Sequence, residues 1–304
     1  MADSIRIGTR GSPLALAQAH ETRNRLMTAH NMAEAEFEIV VIKTTGDAIL
    51  DRPLSEIGGK GLFTKEIEEQ LLDGSIDLAV HSMKDMPVDQ PDGLVLDCFL
   101  PREDVRDAFV SLTYKSIDDL PSGATLGSSS LRRRAQLLHR RPDLNVIEFR
   151  GNVQTRMRKL EEGVADATFL AMAGLNRLGM ADVVTAPVEV TDVLPAIAQG
   201  AIGIERRAAD DRIENMLAAI NDAETTTRLS AERAFLRALD GSCQKPIAGL
   251  ATLSGSDLTL HGEILKPDGT EAVSGIRFGP QDEADAMGRD LAAELLAKSG
   301  GTFF

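Results

Sequence analysis

Arginine recurs in this sequence at one kind of position, the junction between a strand and a helix. Ile5–Gly8 reads as a strand and runs into Thr9-Arg10-Gly11-Ser12-Pro13, where Ser12 is a good N-cap and Pro13 a good first helical residue. Thr125-Leu126-Gly127 leads into Ser128-Ser129-Ser130-Leu131-Arg132-Arg133-Arg134, again with hydroxyls at a helix start. Val146–Phe149 leads into Arg150-Gly151-Asn152, with Asn152 as N-cap and Arg156 one turn further on. A helix N-terminus offers free N–H donors and about half a positive charge. Arginine adds a fork that grips carboxylate or phosphate with two hydrogen bonds. Segment 131–159 holds nine Lys and Arg against two Asp and Glu, inside a chain whose formal net charge is −14. One such run is usually a solvated basic face. Three junctions of the same design point to an anionic ligand.

Two further places carry reactive groups. His81-Ser82-Met83-Lys84-Asp85-Met86-Pro87 follows a strand-like run, Ile76–Val80, and ligands of open α/β sheets bind beyond the carboxyl ends of strands. Lys84 and Asp85 there read either as a pair serving proton transfer or as a surface salt bridge. Asp240-Gly241-Ser242-Cys243-Gln244 places a cysteine in a small-residue loop after a helix, where a thiol can be exposed and reactive; spacing alone does not decide its role. Cys98, amid Val95-Leu96-Asp97-Cys98-Phe99-Leu100, reads as core.

Other chemistries are excluded. There is no Gly-x-x-x-x-Gly-Lys-Ser/Thr, and Gly58-Gly59-Lys60-Gly61 resembles a phosphate loop only superficially. Neither a Gly-x-Ser-x-Gly elbow nor a Gly-x-Gly-x-x-Gly after a strand occurs. The five histidines and two cysteines show no metal-ligand spacing, so no metal is expected. Aromatics are 4% of residues, too few for base stacking, and the charge of −14 repels polyanions, so a nucleic-acid partner is not expected.

These groups need a scaffold of alternating strands and helices. Strand-like Ile5–Gly8, Glu36–Ile42 and Ile76–Val80 alternate with helices at Pro13–Ala29 and Thr64–Leu72. A second set comprises Ala108–Leu112, Thr125–Gly127, a helix from Leu131, Asn145–Phe149, a helix from Val153 and Thr168–Met172. Such alternation predicts parallel α/β sheets. The last part differs: a helix at Thr226–Leu239, three strand-like runs at Ile247–Leu253, Asp257–Leu265 and Ala272–Phe278, and a helix over Gln281–Lys298. That order predicts a small α+β domain. Composition shifts near 100–106 and 191–200, as at interdomain crossings. Segment 43–63 has no sustained period and reads as a lid or an idle loop. The longest charge-free stretches, 120–131 and 193–204, contain Pro and Gly and fall short of a membrane span of roughly 18 residues. With no apolar stretch at the N-terminus, the expectation is a cytoplasmic protein without a membrane partner.

Seven stretches in order resemble the hydroxymethylbilane synthase, or porphobilinogen deaminase, family. They are Ile7–Ala15, Gly58–Phe63, Ala79–Pro87, Ser129–Arg133, Arg150–Val153, Leu194-Pro195 with Gln199-Gly200, and Gly241–Gln244. The resemblance implies two α/β domains of periplasmic-binding-protein type joined by two hinge crossings, over 1–100 with 200–219 and over 105–194. A small α+β domain with a three-stranded antiparallel sheet, 222–304, follows and carries the cofactor. It implies stepwise head-to-tail condensation of four porphobilinogens, each carrying an acetate and a propionate, with release of ammonia. The chain grows on a dipyrromethane primer bound through a thioether to Cys243, and water releases hydroxymethylbilane.

Residue by residue, the resemblance makes Asp85 the proton mediator. It assigns Lys84, Ser129, Ser130, Arg132, Arg133, Arg150, Gly151 and Arg156 to the cofactor. Arg10, Ser12, Phe63, Ser82, Ser128, Gln199 and Gly200 fall to the substrate, in a monomeric enzyme. Departures from the family pattern are Lys245 after Gln244, Glu56 where several members carry lysine, and Ser128 for a common threonine. The competing class is a non-catalytic solute-binding protein, which would need the arginine junctions but neither Asp85 nor a modified cysteine.

Overall fold

The computed structural model describes residues 4–48, 63–241, 245–301 and 303. The chain divides into two units, Met1–Glu103 with Ala201–Thr226, and Asp104–Gly200 with Thr227–Phe304. Among the described residues no helix is long and apolar enough to cross a membrane.

In the first unit, β1 (Ile5–Arg10), β2 (Phe37–Ile42), β3 (Leu78–Ser82), β4 (Leu94–Phe99) and β10 (Ile202–Arg207) form one sheet in the order β2-β1-β3-β10-β4. β1 runs parallel to β2 and β3, with Ile7 opposite both Ile39 and Leu78. Alternate residues serve opposite faces, as the pleat dictates. Ile5, Ile7, Leu78, Val80, Ile202 and Ile204 pack with Ala19 and Leu26 of helix Pro13–His30 and with Ile213 and Leu217 of helix Asp211–Ala218. Ala79 and Leu94 pack with Ile67 and Leu71 of helix Lys65–Leu72. Each Ile, Leu or Val among them contributes about 1.5–3 kcal/mol on full burial.

The second unit holds β5 (Asp107–Val110), β6 (Thr125–Gly127), β7 (Asn145–Ile147), β8 (Ala167–Ala171) and β9 (Ala186–Val188) in the order β7-β6-β8-β5-β9. Phe109 and Phe169 pair directly across β5 and β8 and meet edge to face, 6.2 Å between centroids. In the same unit β11 (Ile247–Ser254), β12 (Asp257–Leu265) and β13 (Ala272–Pro280) form an antiparallel meander. Leu258, Leu260 and Ile264 of β12 are buried, as are Leu291 and Leu295 of helix Ala284–Lys298 and Phe235 of helix Ala223–Ala238.

Both five-stranded sheets correct the expectation of parallel sheets. β10 runs antiparallel to β3 and β4, and β5 antiparallel to β8 and β9. Strand-helix alternation reports right-handed parallel crossovers but is silent on a strand entered without one. β4, β9, β10 and the helices Met172–Arg177 and Asp211–Ala218 went unread. β10 was masked by its charges, because Glu205 and Arg206 are buried inside it. Within segment 43–63, Thr45–Ala48 forms one helical turn, and 49–62, including Glu56 and Gly58–Gly61, lies outside the described residues.

Candidate active site

The first junction works as its residues dictate. Ser12 has extended backbone and its Oγ accepts the Ala15 N–H at 3.3 Å, while its carbonyl accepts Leu16 N–H at 3.0 Å. The Thr9 hydroxyl donates to the Ala15 carbonyl at 3.2 Å, fixing the turn that carries Arg10 to the carboxyl end of β1. Beside it, β3 ends at Ser82, whose hydroxyl is bracketed by the Gln18 amide, Nε2 at 2.8 Å and Oε1 at 3.0 Å. A single 3-10 turn, Met83–Asp85, then closes with Met86 N–H on the Met83 carbonyl at 3.2 Å. Met83 anchors that turn: it is buried and its N–H donates to the Ala201 carbonyl at 3.0 Å. With Met83 held inside, the Asp85 carboxylate is left exposed.

A cleft results, lined by Arg10, Ser12, Gln18, Phe63, His81, Ser82, Asp85 and Met86 among others. Five sequence-predicted residues, Arg10, Ser12, Phe63, Ser82 and Asp85, thus meet in one place. The Arg10 guanidinium lies 4.1 Å from the Phe63 ring centroid, a cation–π contact. Behind His81 stands Glu205, wholly buried, with Oε2 3.1 Å from His81 Nε2. Glu68 lies near them; burial pushes its carboxyl up and the Glu205 charge adds to this, against Thr64 and His81, which lower it. Lys84 sits half-buried in the turn before Asp85 and is not among the lining residues.

The second and third junctions build a different cluster. Ser130 caps helix Leu131–Arg140, with Arg133 N–H on its Oγ at 3.4 Å. Ser128 Oγ accepts from Ser130 N–H at 3.3 Å, and Ser129 Oγ from Phe149 N–H at 3.0 Å, so these hydroxyls shape the loop itself. Arg132 reaches Asp107 at 2.8 Å and the Leu194 carbonyl at 2.7 Å. Arg133 grips Asp107 with two nitrogens, 2.7 and 3.1 Å, and the Phe169 carbonyl at 3.0 Å. Gln199 Nε2 donates to Asp107 and to the Val105 carbonyl, both at 2.8 Å. Asp107 has no exposure at all. Burial alone would raise its carboxyl, but the Arg132 and Arg133 charges, with hydrogen bonds from Arg133 and Gln199, hold it far below the usual carboxylate range.

Arg156 joins this cluster, donating to the Gly151 carbonyl at 2.9 Å; burial, and then the Arg133 charge, push its guanidinium down to about 10. Gly151 adopts φ +124°, and a Cβ there would come within 2.6 Å of Thr155, so the turn admits glycine alone without strain. Asn152 caps helix Val153–Glu161 through Thr155 N–H at 2.9 Å, and the Arg150 carbonyl accepts from Lys159 Nζ at 3.0 Å. Gly200, at φ +88°, offers its carbonyl to Arg177. Other arginines of the basic segment serve the surface: Arg140 pairs with Asp118 and Asp192, and Arg141 with Asp143.

Sequence reasoning missed Asp107, Gln18 and Glu205. Asp107 does leave a trace, an acid opening the apolar run Ala108-Phe109-Val110. Cys243, with Ser242 and Gln244, lies outside the described residues. Cys98 is buried, its thiol pushed up to about 12 by burial, with the Asp97 charge adding, which makes it inert as a nucleophile.

Comparison with known proteins bears on both clusters. Residues 5–215 match the family model described as "Porphobilinogen deaminase, dipyromethane cofactor binding domain", and residues 226–297 match "Porphobilinogen deaminase, C-terminal domain". The chain is 66% identical to the porphobilinogen deaminase of Paracoccus denitrificans over 300 residues, 99% of this chain and 96% of that one. It is 55% identical to the chloroplastic porphobilinogen deaminase of Pisum sativum, covering 99% and 83%. Among solved structures, a nutrient-binding protein from Burkholderia cenocepacia bound to methionine aligns at 14% identity and TM-score 0.44, covering 73% of this chain and 93% of that one.

Proposed function

Because this chain belongs to the porphobilinogen deaminase (hydroxymethylbilane synthase) family of tetrapyrrole-forming enzymes, we propose that its cleft performs the condensation with Asp85 as mediator. Four porphobilinogens are joined head to tail, each losing ammonia, and water releases hydroxymethylbilane. The observation that carries the assignment of roles is the meeting of Asp85 with Arg10, Ser12 and Phe63 in one cleft. Arg10 and the Ser12 hydroxyl take the substrate's carboxylates, and Phe63 stands beside the ring. When the substrate's C–N bond breaks, the electron pair leaves with ammonia and positive charge spreads to the pyrrole N–H. The Asp85 carboxylate meets that charge. At about 4 Å and an effective dielectric near 20 such a pair is worth about 4 kcal/mol.

The residues of the second unit fit a dipyrromethane. Arg132 and Arg133 share one carboxylate, Asp107, Arg156 lies near Arg133 with its guanidinium pushed down mainly by burial, and the Arg132 Nε is buried without a hydrogen-bond partner. A buried guanidinium N–H without a partner is costly, and the acetate and propionate groups of the cofactor are anions that would satisfy it. Arg132, Arg133, Arg150 and Arg156 would hold them, beside the turn at Gly151. When bound, the dipyrromethane supplies an electron-rich pyrrole carbon as nucleophile. With Cys98 inert, Cys243 is the remaining thiol of the chain for its attachment. The same reading makes the protein a cytoplasmic monomer in which 105–194 and 222–304 are separate domains.

The test is ammonia release in a single turnover of cofactor-loaded protein, wild type against Asp85→Asn. The amide keeps the size but not the charge, so the rate falls by roughly 10²–10⁴-fold. Ammonia release within a few-fold of wild type would show that another group does this work.

A further inference from the structure

The floor of the Asp85 cleft carries charge that the roles above do not use. His81 lines the cleft and is bonded through Nε2 to Glu205 Oε2 at 3.1 Å. Glu205 has no exposure, and its Oε1 is buried without a hydrogen-bond partner. Glu68, nine-tenths buried, adds a second carboxyl from helix Lys65–Leu72. One carboxyl is bonded to the imidazole and a second lies near enough to feel both charges, in surroundings where an uncompensated anion is costly. With Nε2 engaged by Glu205, Nδ1 is the ring nitrogen left for a ligand in the cleft. A floor of this kind suits a cation with N–H donors, and it sits in the same cleft as Arg10, which suits an anion.

We propose that His81, backed by Glu205 and Glu68, is the subsite for the cationic aminomethyl group of the substrate. The inference rests on the porphobilinogen reading of this cleft and deepens it. The substrate is bipolar: its carboxylates belong with Arg10 and Ser12, and its ammonium belongs over the acidic floor. Opposite charges at the two sides of the cleft orient the ring, so that the C–N bond to be broken lies at the His81 end. His81 touches the leaving group, and Glu205 positions His81.

The experiment compares porphobilinogen with its neutral counterpart, in which a hydroxymethyl group replaces the aminomethyl group. In Glu205→Gln and in His81→Gln, KM for porphobilinogen rises about ten-fold, the scale of one charge-assisted contact. The Ki of the hydroxymethyl compound as a competitor stays within two-fold of wild type, and Glu205→Asp recovers part of the discrimination. A purely structural role would weaken both compounds equally. Equal weakening, or an unchanged KM in both glutamine variants, overturns the subsite. Wild-type protein that consumes no porphobilinogen would overturn the functional reading itself, a separate outcome.

Discussion

Asp107→Asn tests the buried cluster by removing one charge and almost no volume. Asp107 accepts from Arg132, from two nitrogens of Arg133 and from Gln199, at 2.7–3.1 Å, with no exposure to water. The amide can accept some of these bonds, but its NH2 faces a donor, and two buried guanidiniums lose their counter-ion. Breaking a buried pair in this way costs about 3–5 kcal/mol. In a unit of this size that corresponds to a melting point lower by on the order of 10 °C. The chain has no Trp and a single Tyr, Tyr114, which packs against the core of the second unit, so tyrosine fluorescence reports that unit specifically. The pH dependence follows from the direction of the shift. A folded carboxyl held below its unfolded value of about 3.9 stabilises fully above that value and loses its contribution only as pH falls through the depressed folded value. The gap between wild type and variant is therefore constant at neutral pH and narrows only in strong acid. A variant melting within about 2 °C of wild type at pH 7 would refute the argument.

Two other substitutions separate the site's parts. Arg10→Leu removes the cleft's cation and its contact with Phe63, so KM for porphobilinogen rises at least ten-fold while the melting point of the chain holds; steady-state kinetics with unchanged KM would remove Arg10 from substrate binding. Gly151→Ala forces a Cβ against Thr155 at φ +124°, costing about 1–3 kcal/mol and lowering the fraction of chains that take up dipyrromethane. Adding Thr155→Ala relieves the contact but not the dihedral strain, so the double variant recovers only part of the lost stability in a thermal melt.

Local chemistry was what the residues announced well. Ser12, Ser130 and Asn152 cap the helices expected of them, because a cap depends on three or four neighbouring residues. The grouping of Arg10, Ser12, Ser82 and Asp85 came from the family resemblance; the residues alone placed Arg10 and Ser12 at one junction and Asp85 beyond another strand, and the structure brings them together because β1 and β3 lie side by side and parallel. Strand direction was hidden where it depends on distant pairing. β10 finds its partners in β3 and β4 more than a hundred residues earlier, and its buried Glu205 and Arg206 disguise it as surface. Arg132 and Arg133 were legible as anion ligands, but their nearest anion is the chain's own Asp107, twenty-five residues upstream of Arg132. No spacing rule announces such a pair, since β5 and helix Leu131–Arg140 meet only once the sheet is assembled.

The most direct test of the account is the intact mass of the purified chain and of Cys243→Ser. The wild-type chain is predicted to exceed its sequence mass by one dipyrromethane, to shed ammonia from porphobilinogen, and to carry further pyrrole units when substrate is supplied. Cys243→Ser is predicted to fold, to show the bare sequence mass and to be inactive. An active wild-type chain of unmodified mass, or a Cys243→Ser chain that keeps the added mass and turns over, would contradict it.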